Sequence, residues 1–307
     1  MSAAPHLPAS VHVFVRDWLS ANNILLKSRD GHVLIDSGYV SHAPLTLALL
    51  ASSRGLGDEP LAKLVNTHGH SDHIGGNATV RAKYGCPIAF PAAEAPLVER
   101  WDERGLWLSW ADQTADRFTV DELLQPGSTH VWGDLEWQLF AAPGHDMGAL
   151  VFYNPEHRIL VSGDALWENG YGLVMPPALD PDALPATRDT LDVIAALDVR
   201  VVIPGHGEPF RNVAEALDRA YRRTAAFEAD EMRIGRHAAK VILTFNLLHR
   251  RRMPVADLPA YVERIGIYRD INALVLRMAP RDLAAMLVDE LTRAGVVRVE
   301  DGDLVAA

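Results

Sequence analysis

The stretch NTHGHSDHIGG, residues 66–76, places His68, His70, Asp72 and His73 within six residues and closes them with a glycine pair. So many like groups are not tolerated together in a folded interior unless a cation neutralises them. Three further groups recur in similar settings: His145 in APGHD, Asp164 in SGDAL and His206 in PGHGEP. Each is flanked by glycine, where the backbone turns tightly, and each follows or adjoins a β-rich run. A twisted sheet collects its strand ends along one edge. The chain must therefore fold so that several strand ends meet, which points to a layered α/β body.

The local patterns agree. VHVFV (11–15), NILLKS (23–28) and HVLIDSG (32–38) read as successive strands, and LAKLVNTH (61–68) as the strand that delivers the histidine cluster. APLTLALLASSRGL (43–56) and GGNATVRAKYG (75–85) read as helices, and PIAFP (87–91) as a further strand. VERWDERGLWLSWADQTADRF (98–118) has no strand period and is expected to be a helical insertion, a lid or a dimer contact. Hairpins are expected at Gly133-Asp134 and Asn154-Pro155, and a last strand at 199–209. From about 211 the spacing turns helical, and VVRVEDGDLVA closes the chain as a hairpin about Asp301-Gly302. Residues 1–212 are taken as the catalytic domain and 213–307 as a mostly helical, winged-helix-like domain.

The candidate ligands comprise five imidazoles and two carboxylates, with no thiolate. That set suits zinc, with iron or manganese as alternatives. Seven ligands exceed one tetrahedral ion. They suit two ions about 3.5–4 Å apart that share a bridging carboxylate. His12, His32, His130, His157 and His249 stand alone and are read as ordinary histidines.

The motifs THGHSDHIGG, PGHDMG, SGDAL and IPGHGEP, in this order and spacing, resemble the metallo-β-lactamase superfamily, as does VLIDSGY (33–39). The resemblance covers about residues 10–210. It implies an αββα sandwich with two Zn2+ at one edge. His68, His70 and His145 would bind the first ion; Asp72, His73 and His206 would bind the second, and Asp164 would bridge. Asp36 would support the site without binding metal. The implied reaction is hydrolysis by a metal-bridging hydroxide, with Asp72 orienting the nucleophile and Asp164 setting the spacing of the ions. The helical tail resembles the winged-helix extension of some members, including a mitochondrial endoribonuclease.

Departures narrow the branch. His70 stands where the flavo-diiron branch has Glu, and no Cys ligand is present as in the antibiotic-degrading branch. Asp146 stands where many thioesterase-type members have a small hydroxyl residue, and its carboxylate could accept a hydrogen bond beside the site. No basic segment equivalent to the glutathione grip of glyoxalase II is found. Trp107 in the insertion, and Trp167 and Tyr171 after Asp164, are the candidate substrate walls. Such an aromatic wall favours a small neutral carboxylic ester, lactone or thioester over a polyanion.

Charge sorts the alternatives. Residues 1–210 carry 13 Lys and Arg against 26 Asp and Glu; residues 211–307 carry 16 against 14. An acidic body argues against nucleic acid as a partner. A nuclease or phosphodiesterase gripping RNA through Arg250, Arg251 and Arg252 is the second reading, and a mononuclear-iron persulfide dioxygenase the third. The single Cys86 excludes an internal disulfide framework. No transmembrane span or signal peptide is read, so a cytoplasmic enzyme acting on a small molecule is expected. A homodimer could form through the C-terminal domain or the tryptophan-rich insertion.

Overall fold

The computed structural model describes residues 6–307; the first five residues of the N-terminal segment read for a signal lie outside the described part. The first sheet has six strands in sequential order: β1 (Val11–Phe14), β2 (Asn23–Leu26), β3 (His32–Ile35), β4 (Leu61–Val65), β5 (Ile88–Pro91) and β6 (Glu122–Leu124). The β1–β2 and β2–β3 pairs are antiparallel; the rest are parallel. The second sheet holds β7 (Thr129–Trp132), β8 (Leu135–Ala141), β9 (Leu150–Asn154), β10 (Ile159–Gly163) and β11 (Val201–Pro204), antiparallel except for β10–β11. The turn between β7 and β8 uses Gly133 and Asp134 at φ 63° and 60°, the two left-handed positions of a type I′ hairpin.

The inner strands of each sheet are buried on both faces, while β6, β7 and β8, at or next to an edge, expose one, and strand alternation divides the core into layers. Val33 and Ile35 of β3 point between the sheets to meet Trp137, Phe152 and Val161. Leu34 points the other way, onto the helices α1 (Ala43–Ala51), α2 (Ser71–Ile74), α3 (Asn77–Tyr84) and α4 (Ala95–Arg100) that cover the first sheet. The outer face of the second sheet, through Val151, Leu160 and Val202, is covered by residues of later helices such as Leu191 and Ala216. The layers are therefore helix, sheet, sheet, helix.

The insertion at 98–118 is not a helical element. Beyond the end of α4 it holds one short helix, α5 (Leu108–Ala111), between residues with left-handed backbone at Trp101, Trp107 and Asp112. Trp101 is buried in the first helical layer, and Trp110 donates to Asp270 Oδ2 at 2.8 Å. Side-chain anchoring rather than backbone periodicity holds this segment.

The long helical stretch after 211 is several helices. α6 (Ala183–Ala196) precedes it and α7 (Val213–Glu228) begins it; both pack on the second sheet. α8 (Glu231–Arg250) begins where Asp230 accepts a hydrogen bond from the Arg233 amide at 3.1 Å, an N-cap that breaks the run. α9 (Leu258–Arg264), α10 (Gly266–Ile271) and α11 (Pro280–Arg293) follow. They share a core with α8 that also takes in Ala111, Leu173 and Met175 of the sandwich. A small antiparallel sheet of β12 (Arg252–Pro254), β13 (Val297–Glu300) and β14 (Asp303–Ala306) closes the chain, with the hairpin turning at Asp301-Gly302 as expected. No helix among the described residues is long and apolar enough to cross a membrane.

Candidate metal centre

β4 ends at Val65 and feeds a loop carrying His68 and His70. His70 is extended, with φ −73° and ψ 150°, and the next residues close into the one-turn helix α2, which holds Asp72 and His73. The loop between β8 and β9 carries His145; Asp164 follows β10, and His206 follows β11. Two glycines of these motifs leave room for carboxylates that pass close to the backbone. A Cβ on Gly205 would lie 2.3 Å from Asp164 Oδ1, and one on Gly69 would lie 2.3 Å from Glu94 Oε2.

The seven expected groups form two clusters, each able to hold a metal ion. His68, His70 and His145 make one; Asp72, His73, Asp164 and His206 make the other, with donor atoms in each set within 4.8 Å of one another. Asp164 faces both. Its Oδ2 lies 3.4 Å from His145 Nε2, while its Oδ1 lies 3.4 Å from His73 Nε2 and 3.9 Å from His206 Nε2. Asp72 Oδ2 lies 2.9 Å from His206 Nε2. All seven are buried or nearly so. His68 Nε2 and His73 Nε2 are buried without a hydrogen-bond partner, which is where divalent cations fit this donor set.

Groups behind the ligands set which ring nitrogen faces inward. Asp36 Oδ2 takes His73 Nδ1 at 2.7 Å, and Thr67 donates to Asp36 through its amide (2.9 Å) and its hydroxyl (2.8 Å). With its proton committed there, the Thr67 oxygen can accept from His68 Nδ1 at 3.0 Å. His145 Nδ1 donates to the Leu173 carbonyl at 2.6 Å. These contacts leave Nε2 of His68, His73 and His145 as the inward donors. Asp36 sits at φ 56°, a left-handed conformation that Asp adopts more readily than most residues. Asp146 lies 3.5 Å from His70 Nε2, and its other oxygen accepts the Gly148 amide at 2.7 Å.

Burial, then the neighbouring His145, lowers the His70 pKa to about 4, and His68 is lowered well below its ordinary value by burial and by His73. Both rings are neutral at pH 7. Burial opposes ionisation of Asp164, but His206 and His73 hold its carboxyl well below the usual range. Burial would lower His73 too; Asp36, Asp72 and Asp164 outweigh it and raise the ring well above its ordinary value. Glu94, which no motif marked, is buried beside Asp146. Burial and that second carboxyl raise it well above the carboxylate range, so it stands as a neutral acid.

A cavity of about 520 Å³ opens over these residues. Trp107 lies over His70, ring centres 4.5 Å apart, and Trp167 donates from Nε1 to Asp164 Oδ1 at 3.1 Å. Both line the cavity. Tyr171 does not: it is 1 % exposed, its hydroxyl bonds Thr224 at 2.9 Å, and it packs in the outer core, correcting its expected place at the metals. Two wall elements were not anticipated. Trp18 stacks on His206 with ring centres 5.5 Å apart, and α8 contributes Val241, Phe245 and Leu248. Trp18 stands alone in an otherwise ordinary loop and gives no signal in the sequence.

The profile of the metallo-beta-lactamase superfamily matches residues 16–206. The chain belongs to the metallo-beta-lactamase superfamily. Acyl-coenzyme A thioesterase MBLAC2 of Gallus gallus is 29 % identical over 221 residues, covering 66 % of this chain and 76 % of that protein. A hydroxyacylglutathione hydrolase of Bdellovibrio bacteriovorus is 28 % identical over 115 residues, 36 % of this chain and 37 % of that protein. This chain thus spans little more than a third of that hydrolase. Among solved structures, the metallo-beta-lactamase family protein TTHA1429 of Thermus thermophilus is 18 % identical with a TM-score of 0.57, covering 98 % of this chain and all of that one. TTHA1623 in a di-iron-bound form is 25 % identical with a TM-score of 0.55, covering 68 % of this chain and 98 % of that one.

Proposed function

We propose that this metallo-hydrolase is a dinuclear enzyme that cleaves thioesters, together with small carboxylic esters and lactones. The observation that carries it is the division of the Asp164 carboxylate, one oxygen toward His145 and the other toward His73 and His206. His68, His70 and His145 would hold one divalent ion, Asp72, His73 and His206 the other, with Asp164 between them. The nitrogen and oxygen donors suit zinc, with iron and manganese as alternatives. When bound, such a pair lowers the pKa of water towards 7 and polarises an acyl oxygen. The thioester preference draws on the named activities of the thioesterase and hydroxyacylglutathione hydrolase relatives.

The chain's own residues do the rest. Asp36, Thr67 and the Leu173 carbonyl hold three imidazoles in one tautomer and orientation. Asp72, buried at the floor, orients the attacking water. Trp167 steadies Asp164 through its indole N–H, and Trp18 and Trp107 wall the cavity from bulk water. Hydrolysis then forms a C–O bond to the acyl carbon and breaks the C–S bond, releasing an acid and a thiol.

Residues 213–307 are proposed as a winged-helix-like unit whose first helix, α7, also covers the second sheet and whose α8 serves as a cavity wall. The nuclease reading is less favoured, because two of its three adjacent arginines are matched by carboxylates, Arg250 by Asp112 and Arg252 by Asp303. Zinc-loaded enzyme tested against thioester, lactone and phosphodiester substrates decides between them. Turnover of the thioester supports the proposal; turnover of the phosphodiester alone refutes it.

A further inference from the structure

α8 is apolar on two sides. Ala238, Ala239, Leu243 and Leu247 pack into the C-terminal core. On another side Val241, Phe245 and Leu248 are half-buried and line the metal-site cavity, with His237 one turn before Val241. Spacing of i, i+4, i+8 and i+11 keeps these four on one stripe, roughly 16 Å long at ~1.5 Å per residue. Such a stripe along the cavity wall, with Phe245 held edge-on to Tyr39 at 5.8 Å between ring centres, is shaped for an elongated apolar group.

At the His237 end sits Arg223, which also lines the cavity. Its guanidinium lies 5.1 Å from the Tyr171 ring and 5.5 Å from the Phe227 ring. It donates to the Tyr171 carbonyl at 3.2 Å and to His237 Nε2. No carboxylate among the described residues pairs with it, whereas Lys240 on the same wall is matched by Glu290 at 2.9 Å. An oriented, half-buried guanidinium with spare donors and no counter-charge is a ready anion site.

We infer that Arg223 anchors the anionic group of the substrate, a carboxylate or phosphate carried on an apolar chain that lies along the α8 stripe. This rests on reading the cavity as the substrate site of the proposed hydrolase. Arg223 is a binding residue; it acts on no reacting atom.

The test is calorimetric titration of the metal-loaded protein with dodecanoate, dodecyl phosphate and the neutral dodecanol. One anion or the other should bind about tenfold more tightly than dodecanol, the scale of a charge-assisted hydrogen bond. Which anion does so names the group. In Arg223→Met that margin should vanish while dodecanol binding stays. Arg223→Gln, which can still donate to the Tyr171 carbonyl, should lose it equally. Asp164→Ala, impaired at the metals, should keep it. The inference is overturned if wild type shows no margin, if the margin survives in both Arg223 variants, or if it disappears in Asp164→Ala because the metals held the anion. Failure of the hydrolase reading would appear separately, as no turnover of an acyl thioester with these titrations unchanged.

Discussion

Asp36→Asn isolates the role of a group that touches no metal. Asn tolerates the left-handed backbone at φ 56°, so the fold loses little. The hydrogen bonding cannot survive intact. Asp36 accepts from the Thr67 amide at one oxygen and from both His73 Nδ1 and the Thr67 hydroxyl at the other. Asn can retain the first acceptor, but its amide NH2 then faces two donors. His73 must move its proton to Nε2, the inward nitrogen, or the Thr67 hydroxyl must rotate and release His68. Loss of an outer-shell partner of this kind lowers metal affinity about 10–100-fold, roughly 1.4–2.7 kcal/mol. Competition for zinc with a chromophoric chelator measures it, and thermal unfolding of the metal-free protein measures the fold. The expected result is weakened binding with little change in metal-free unfolding. Unchanged zinc affinity would refute the claim that Asp36 sets the His73 tautomer.

Three more outcomes are expected. Glu290 joins α11 to α8 through Lys240 and Arg236; burial opposes its ionisation, but those cations hold its pKa below the ordinary 4.5. Glu290→Gln should cost about 0.2–1 kcal/mol at pH 7 in denaturant unfolding. The contribution belongs to the ionised carboxylate, so the difference should fade as pH drops below 4.5. Burial, then Arg223, lowers His237 to about 3 from 6.5, so its neutral form favours the folded state above pH 6.5 and that advantage erodes as pH falls towards 3. His237→Gln should therefore lose less stability than wild type between pH 7 and pH 5, by melting temperature. Phe152, fully buried between the sheets, should cost about 3–5 kcal/mol as Phe152→Ala in the same unfolding assay.

The sandwich and the candidate ligand groups were legible because all seven lie in the segments that follow strands β4, β8, β10 and β11, from one residue past the strand end at Asp164 to eight at His73. Asn66–Gly76 needs only β4 before it and α2 within it to bring four groups into the two clusters. Side-chain direction in longer loops carries no such signal. Tyr171 and Trp167 lie four residues apart after Asp164, yet one turns into the core and the other onto the ligand. The tryptophan-rich insertion is not one continuous helix because Trp101, Trp107 and Asp112 take left-handed angles that end α4 and bound the short α5. α8 is apolar on its core side and on its cavity side, so helical periodicity marks a buried helix without revealing the cavity. The break before α8 rests on one capping carboxylate, Asp230, inside an otherwise continuous helical spacing.

The bridging place of Asp164 is tested most directly by metal content read beside turnover. Elemental analysis of zinc-reconstituted wild type should give two ions per chain, and Asp164→Ala should lose metal and thioester hydrolysis together. A variant that kept two ions and full turnover would contradict the account, as would a wild type that bound a single ion at full activity.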